Sequence, residues 1–499
     1  MTSSRRQILK DIFSLGSVQY ISQAVSTIVA LTTANIVGPE KIGIWAAISV
    51  ILPFTIYSDL GVIAGAAWRI PFLRGEGRTE DLEKVRSDSF LSTTATTLLV
   101  SSAVMFYIFF LSEKKGILFL LGYICLSLMI LAHQINGYYN AVLRADYRFN
   151  IIVRSKYLST FSSVFVLLPL CLIYDIYGLI IGYTIAAWIP VSYFFIKGEY
   201  KYFFQLDLKN VYLIARIGIP ITLVGFFNIT MTNIDKILVV KYMPYNEIGY
   251  YKLAATLSGL LLLVSGSIAY VFSPQMLEKY GQSHDPRKLE SLVILPSLVI
   301  AYFMSLIIGI LYIMIPSLIS ILLPDFYPAA RTAQLLIFSL FFIAVATLSG
   351  TFLVNIEKSG HVMIAQWVTI ALIFFVGPYI LPRGGLEGMA LILSGTYFLY
   401  SILIIWLSLD AMGFFRKDFL KFTVGVFSPL LYTLAVLAFL TFLSLWFKIK
   451  PDKNIIHALL LTVVFTLIFL PGPILAYNKN PRLKEMLKGV FKDGRAAQG

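Results

Sequence analysis

The residues with the most chemical potential lie between Thr222 and Lys252 of a 499-residue chain. The middle of that stretch reads Asn228-Ile-Thr230-Met-Thr232-Asn233-Ile-Asp235-Lys236, with apolar residues on both sides. It reads as a membrane helix carrying a carboxylate and an ammonium. A charge at the bilayer centre costs about 2.5–3.5 kcal/mol on insertion scales, so such groups usually face a protein interior or a water-filled path. At helical spacing Thr222, Gly225, Asn228, Thr232 and Asp235 share one face. A polar stripe ending in a charge suits a cavity wall. The plainer alternative is polar glue between two helices, with Asp235 and Lys236 snorkelling to an interface.

Other charged groups also sit in apolar surroundings. Asp59 lies deep in the second apolar run, beside Gly61. It could carry a proton or bind a cation, or it could cap a helix break. Arg69 is ten residues further on, about 15 Å along a helix, too far for a direct pair with Asp59. Arg69 and Lys252 suit either snorkelling or an anionic substrate. Arg216 opens the seventh run, where it could meet an anion from the cytoplasm or anchor the helix. His133, beside Gln134 and Asn136, is a titratable candidate or a hydrogen-bonded packing residue. No Walker lysine loop, nucleophile elbow, HExxH or Cys/His metal spacing is present, so neither an enzyme nor a metal site is expected. Cys125 and Cys171 both sit in apolar runs and read as buried thiols.

Composition sets the class of protein that positions these groups. The chain is 58% hydrophobic and 13% charged, with mean hydropathy +0.82, whereas soluble domains average roughly 25% charged residues. It is an all-α polytopic membrane protein. The segment 1–10 is followed by a long, partly polar helix without a clean cleavage site, so no cleaved signal is expected. Apolar runs of about 20 residues mark fourteen spans. They cover 14–37, 42–68, 88–111, 116–140, 151–174, 178–196, 211–240, 247–273, 291–313, 329–353, 361–381, 385–408, 419–447 and 455–477. Pro53, Pro220, Pro274 and Pro296 are expected to bend their helices. With the N-terminus inside, 29 Lys and Arg fall in inner segments and nine in outer ones, which places both termini in the cytoplasm. The net charge of +14 thus reflects topology, and no nucleic-acid partner is expected.

The chain repeats itself. Val37-Gly-Pro-Glu-Lys-Ile42-Gly43-Ile-Trp45 aligns without a gap on Met243-Pro-Tyr-Asn-Glu-Ile248-Gly249-Tyr-Tyr251, an offset of 206. Tyr174-Asp-Ile-Tyr-Gly178 matches Gly384-Gly-Leu-Glu-Gly388 at an offset of 210. One repeat spans six helices, an even number, so the two copies are related by an axis along the membrane normal. The division is 1–205 for one lobe, 206–410 for the other, and 411–499 for two extra helices and a basic tail. The offset lays the polar stripe on Gly16, Gln19, Ser22, Ser26 and Val29. Gln19, Ser22 and Ser26 therefore join Asn228, Thr232, Asp235 and Lys236 as candidate cavity residues.

These motifs resemble the polysaccharide flippases of the multidrug/oligosaccharidyl-lipid/polysaccharide (MOP) exporter superfamily, of the Wzx O-antigen and teichuronic-acid type. The likeness rests on Ile36-Val-Gly-Pro-Glu-Lys-Ile-Gly43-Ile-Trp and on Asp235-Lys-Ile with Gly249-Tyr-Tyr-Lys-Leu-Ala. It implies two six-helix lobes around a central cavity, alternating access, and a bacterial cytoplasmic (inner) membrane. It also implies a lipid-linked oligosaccharide, carried on undecaprenyl pyrophosphate to the outer leaflet. A glycan polymerase is the implied partner, beside membrane lipids, and a proton or sodium ion the coupling ion, through Asp59, Asp235 or His133. Lys236, Lys252, Arg69 and Arg216 are the candidates for the pyrophosphate. Alternatives are a multidrug/cation antiporter, a lipid II flippase, or a membrane-embedded glycan polymerase. Lipid II flippases also have two extra helices, but their first-helix Arg-Asp pair is replaced here by Val29 and Ala30.

Overall fold

The structure, a computed structural model, describes residues 5–107, 110, 116–197, 206–414, 416–446 and 454–474. Lys114, Lys115, Lys448, Lys450 and Lys453, expected in outer segments, and the basic tail 479–495 lie outside the described residues. Every regular element among the described residues is helical. In chain order these are α1 (Arg5–Val37), α2 (Pro39–Ser49), α3 (Leu52–Thr55), α4 (Val62–Gly75), α5 (Thr79–Phe106), α6 (Ile117–Ala145), α7 (Phe149–Ser162), α8 (Leu168–Lys197), α9 (Leu208–Met231), α10 (Ile234–Tyr242), α11 (Tyr245–Gly259), α12 (Leu262–Ser283), α13 (Glu290–Leu322), α14 (Ala329–Asn355), α15 (Ser359–Ala411), α16 (Arg416–Trp446) and α17 (Ile455–Phe469). Among the described residues, ten segments are long and apolar enough to cross a membrane.

Two of those ten are folded back on themselves. In the 49-residue segment 149–197, Asp175 leaves helical geometry at φ 55°. Gly182 there packs against Leu167, and a Cβ on Gly178 would overlap the Leu170 carbonyl. Such proximity requires the chain to reverse. In the 53-residue α15, Gly385 does the same at φ 59°, and Gly388 packs against Ile380. These hinges and contacts are related by an offset of 210, the spacing at which the two sequence motifs align.

The span expected over 42–68 is broken into α2, α3 and α4. Leu60 and Gly61 both take positive φ, and the Asp59 carboxylate accepts the Ile63 N–H at 2.6 Å at the start of α4. The span expected over 211–240 is broken at Thr232 and Asn233 into α9 and α10. Thr and Asn satisfy backbone groups locally, which makes such a break cheap. Pro220, Pro274 and Pro296 lie inside α9, α12 and α13, while Pro53 sits in the first turn of α3, where its missing N–H costs little.

The chain forms two compact units, Met1–Lys252 and Leu253–Gly499. In the first, α4, α6, α8 and α9 pack around Ala66, Ile70, Tyr138, Tyr139, Val142, Phe194 and Ile214, with Tyr139 stacked on Phe194 at 5.2 Å. Glycines bring α4 and α9 into backbone contact, Gly61 against Gly218 and Gly65 against Ile214, as small residues do between membrane helices. In the second unit, α16 and α17 cover α13: Phe465 sits over Gly309, beside Leu437, Leu440, Ala458 and Phe469.

One further contact joins the repeated motifs inside the first unit. A Cβ on Gly43 would overlap the Tyr245 carbonyl, and a Cβ on Gly249 would overlap the Pro39 carbonyl. Position 43 maps to 249 and 39 to 245 at the offset of 206. The contact is therefore self-complementary, as contacts across a two-fold axis are.

Candidate functional site

The break between α9 and α10 exposes the carbonyl end of one helix and the amide end of another. The Lys236 amine donates to the Thr232 carbonyl at 3.2 Å and to Asn233 Oδ1 at 2.7 Å. A cation at a helix C-terminus meets both the unpaired carbonyls and the negative end of the helix dipole. Lys236 is half-buried, whereas Asp235 is only 4% exposed. Asp235 does not turn towards that amine. Its Oδ2 accepts the Tyr251 hydroxyl at 2.5 Å, from α11, and its Oδ1 is buried without a hydrogen-bond partner. A buried carboxylate oxygen with an open lone pair is a position for a proton, a cation or a ligand hydroxyl.

The remaining stripe residues are distributed differently. Asn228 is exposed, Thr232 and Thr222 are half-buried, and the break interrupts the face before Asp235. In α1, Gln19 and Ser26 are exposed, while Ser22 accepts a 2.8 Å hydrogen bond from Thr160 of α7 and so ties two helices. Arg216 and Lys252 are exposed. Arg69 is partly exposed, with a buried Nε that lacks a hydrogen-bond partner. His133 is exposed on α6.

Asp59 is 3% exposed, and from two residues before Gly61, the N-cap of α4, its carboxylate satisfies the Ile63 N–H in the first turn. Asp59→Ala leaves that N–H without its acceptor and should lower stability by about 1–3 kcal/mol, and Asp59→Asn, which keeps an acceptor oxygen, by much less. Thermal unfolding of the purified variants checks this. Wild-type stability together with complete loss of transport in Asp59→Asn would instead assign Asp59 to ion coupling.

Asp59 also borders a cleft of about 570 Å³ between α4, α6 and α9, with Tyr57, Asn140, Arg144, Tyr147 and Thr222 among its lining. Next to it, Asp146 pairs with both Arg74 and Arg86, at 2.6 Å in the latter case, and Arg74 also donates to the Ala145 carbonyl at 2.6 Å. These ties clamp the turn between α6 and α7. Along the chain, Arg144 reads only as a positive-inside residue, Tyr147 does not stand out, and Tyr251 enters only as a member of the repeated motif, not as a partner of Asp235. Tyr251 is 16 residues from Asp235 and on another helix, so spacing along one helix gives no signal for it. The signal for Arg144 is its place two turns beyond Gly137, on a helix that also carries Asn140.

Known proteins share both sequence family and fold with this arrangement. The family model described as "Polysaccharide biosynthesis protein" matches residues 8–278. No curated protein matches the chain in a sequence search. Among solved structures, the lipid II flippase MurJ in an inward closed conformation is similar at TM-score 0.72 and 16% identity, covering 93% of this chain and 99% of that one. An inward-facing multidrug resistance MATE family transporter of the MOP superfamily is similar at TM-score 0.64 and 14% identity, covering 80% and 95%. A MATE protein in a bent conformation is similar at 0.56 and 16% identity, covering 85% and 100%. At these identities the likeness concerns the fold. With a family match over more than half its length, the chain belongs to the polysaccharide biosynthesis protein family and is a multi-pass membrane protein with the fold of the MOP superfamily.

Proposed function

We propose that the chain flips a lipid-linked oligosaccharide, carried on undecaprenyl pyrophosphate, from the cytoplasmic to the outer leaflet by alternating access. The observation that carries this reading is the interrupted helix α9–α10. It gathers a cation, a helix-end carbonyl and a buried carboxylate with one open oxygen, in a chain of a polysaccharide biosynthesis family. Broken helices of this kind hold substrates and coupling ions in membrane transporters. The physics of the cargo agrees: each unsatisfied sugar hydroxyl in hydrocarbon costs several kcal/mol, which a hydrated path removes while the prenyl tail stays in lipid. Lys236 would attract the phosphates, and Asp235 would exchange a proton or sodium ion.

The same reading gives fourteen crossings. The ten apolar segments include two that reverse at Asp175 and Gly385, and the broken segments 39–75 and 245–283 supply two more. An even number puts both termini on one side, and the excess of inner Lys and Arg makes that side the cytoplasm. The lobes are 1–205 and 206–410, each of six crossings, in a bacterial inner membrane, with a polymerase receiving the cargo outside. Single cysteines at positions 114 and 450 should react with an impermeant maleimide from the outer face. Reaction only from the cytoplasmic face refutes this topology.

The transport activity is tested in vesicles holding the purified chain and a fluorescent undecaprenyl-pyrophosphate oligosaccharide. Quencher added outside should reach inner-leaflet label faster than in protein-free vesicles; equal rates sink the proposal. A second reading, transport of lipid II, draws on the MurJ likeness, which covers 93% of the chain. The same assay with labelled lipid II separates the two.

A further inference from the structure

The cleft between α4, α6 and α9 has the makings of a second binding site, apart from the break at Asp235. Its volume of about 570 Å³ falls within the roughly 300–1,000 Å³ range of small-molecule pockets. Its lining combines two tyrosines, a carboxamide, a guanidinium and a carboxylate. These groups are spread along the cleft. Gly137 of α6 lies level with Ile63 of α4, where a Cβ added to the glycine would stand at ordinary contact distance, 3.9 Å, from the Ile63 Cδ1, and both residues line the cleft. Arg144 lies two turns further along α6, about 10 Å, while Asp59 lies on the other side of Ile63 along the α4 segment. A cation and a carboxylate thus mark opposite ends.

Arg144 differs from its neighbours. Arg74 and Arg86 are committed to Asp146, but the Arg144 side chain is exposed in the last turn of α6 and makes no ion pair or hydrogen bond with the described residues. Tyr147 follows it. It occupies the left-handed position of a helix-ending turn at φ 58°, with the Arg148 N–H bonded to the Leu143 carbonyl at 2.8 Å. Glycine is favoured there: the corresponding turns after α4 and α15 carry Gly77 and Gly413, while the turn after α14 carries Glu357 at φ 64°. A bulky side chain in that region is strained, and such strain concentrates at functional positions. The ring is 69% exposed, with the Arg74 guanidinium 6.0 Å from its centroid. Deeper in the cleft, the Tyr57 hydroxyl fits against Gly225 and its ring meets Phe226 edge-on at 5.7 Å. Asn140 spends its amide donor on Asn136, which leaves its own carbonyl oxygen to accept.

We infer that this cleft binds a glycosyl diphosphate, with the phosphates on Arg144 beside Tyr147 and the sugar extending past Asn140 towards Tyr57 and Asp59. A guanidinium binds phosphate oxygens in bidentate fashion. Tyrosine presents both an apolar ring face and a hydroxyl, as a sugar requires. The carboxylate at the far end repels phosphate and accepts hydroxyls, which fixes the direction of the ligand. The inference rests on the flippase reading and names where its cargo first engages the protein.

The test is equilibrium binding to the full chain in nanodiscs, using a radiolabelled, water-soluble short-prenyl diphosphate N-acetylglucosamine. The wild type should bind, with inorganic pyrophosphate competing more weakly and N-acetylglucosamine alone not competing. Arg144→Gln should weaken binding at least tenfold, and Arg144→Lys should restore only part of it. Tyr147→Asn should weaken binding several-fold while melting no lower than the wild type, because asparagine tolerates positive φ. Arg78→Gln, which removes a surface guanidinium already paired with Glu76 and Asp81, should leave this binding intact. Unchanged binding in both Arg144→Gln and Tyr147→Asn overturns the site while the flippase reading stands. Binding lost in Lys236→Ala but kept in Arg144→Gln moves the site to the α9–α10 break. A wild type that does not bind overturns the site; failure of the vesicle assay as well removes the flippase reading.

Discussion

Replacing Gly43 or Gly249 with leucine should abolish transport in the vesicle assay while the protein still inserts in the membrane. At both positions even a single Cβ would overlap a backbone carbonyl, that of Tyr245 or of Pro39. A backbone carbonyl cannot swing aside as a flexible side chain can. Alanine at either position should therefore cost about 1–3 kcal/mol or more through overpacking, and leucine should force α2 and α11 apart. The two glycines serve one self-complementary contact, so the double alanine variant should be little worse than either single one. That non-additivity is what neighbouring sites sharing one strain show. In the proposed topology the contact lies on the outer side, where its loss would leave that side unable to close. Melting temperatures and vesicle transport of the three alanine variants decide the matter. Wild-type behaviour of Gly43→Ala and Gly249→Ala would show that the helices can separate without consequence.

Asp235→Asn and Lys236→Ala should each abolish surface-glycan export at matched protein levels, through different causes. Asp235 is buried, holds the Tyr251 hydroxyl, and keeps one oxygen without a partner. Asparagine preserves an acceptor for Tyr251 but removes the exchangeable charge. Stability should then change little while export is lost. Tyr251→Phe leaves the carboxylate without its donor and should destabilise by about 1–3 kcal/mol, the cost of an unsatisfied buried group. Combining it with Asp235→Asn should recover part of that loss, because the remaining amide is neutral. Lys236→Ala removes the amine from the Thr232 carbonyl and Asn233, and should loosen the helix break. Normal export by both Asp235→Asn and Lys236→Ala would make the break a structural joint and remove the proposed mechanism.

Much of the architecture was legible from residue type and spacing. A bilayer demands about 20 apolar residues per crossing, so composition alone separates spans from loops. The repeat was legible because a turn and a close contact depend on local residue identity. The hinges at Asp175 and Gly385, and the paired glycines at 43 and 249, lie where the offsets of 210 and 206 place them. Other features were settled only by the tertiary structure. The break at Thr232 and Asn233 is hidden in sequence, because an apolar run with two polar residues reads equally well as one amphipathic helix. The stripe ending in Asp235 assumed that helix to be continuous. The partner of Asp235 comes from α11 and the neighbours of Arg144 from α4 and α9, so no helical periodicity could pair them. Adjacent Asp235 and Lys236 look like an ion pair along the chain. Successive residues on a helix point about 100° apart, and each side chain instead found the partner its own direction reached: a tyrosine hydroxyl for the carboxylate and a helix-end carbonyl for the amine.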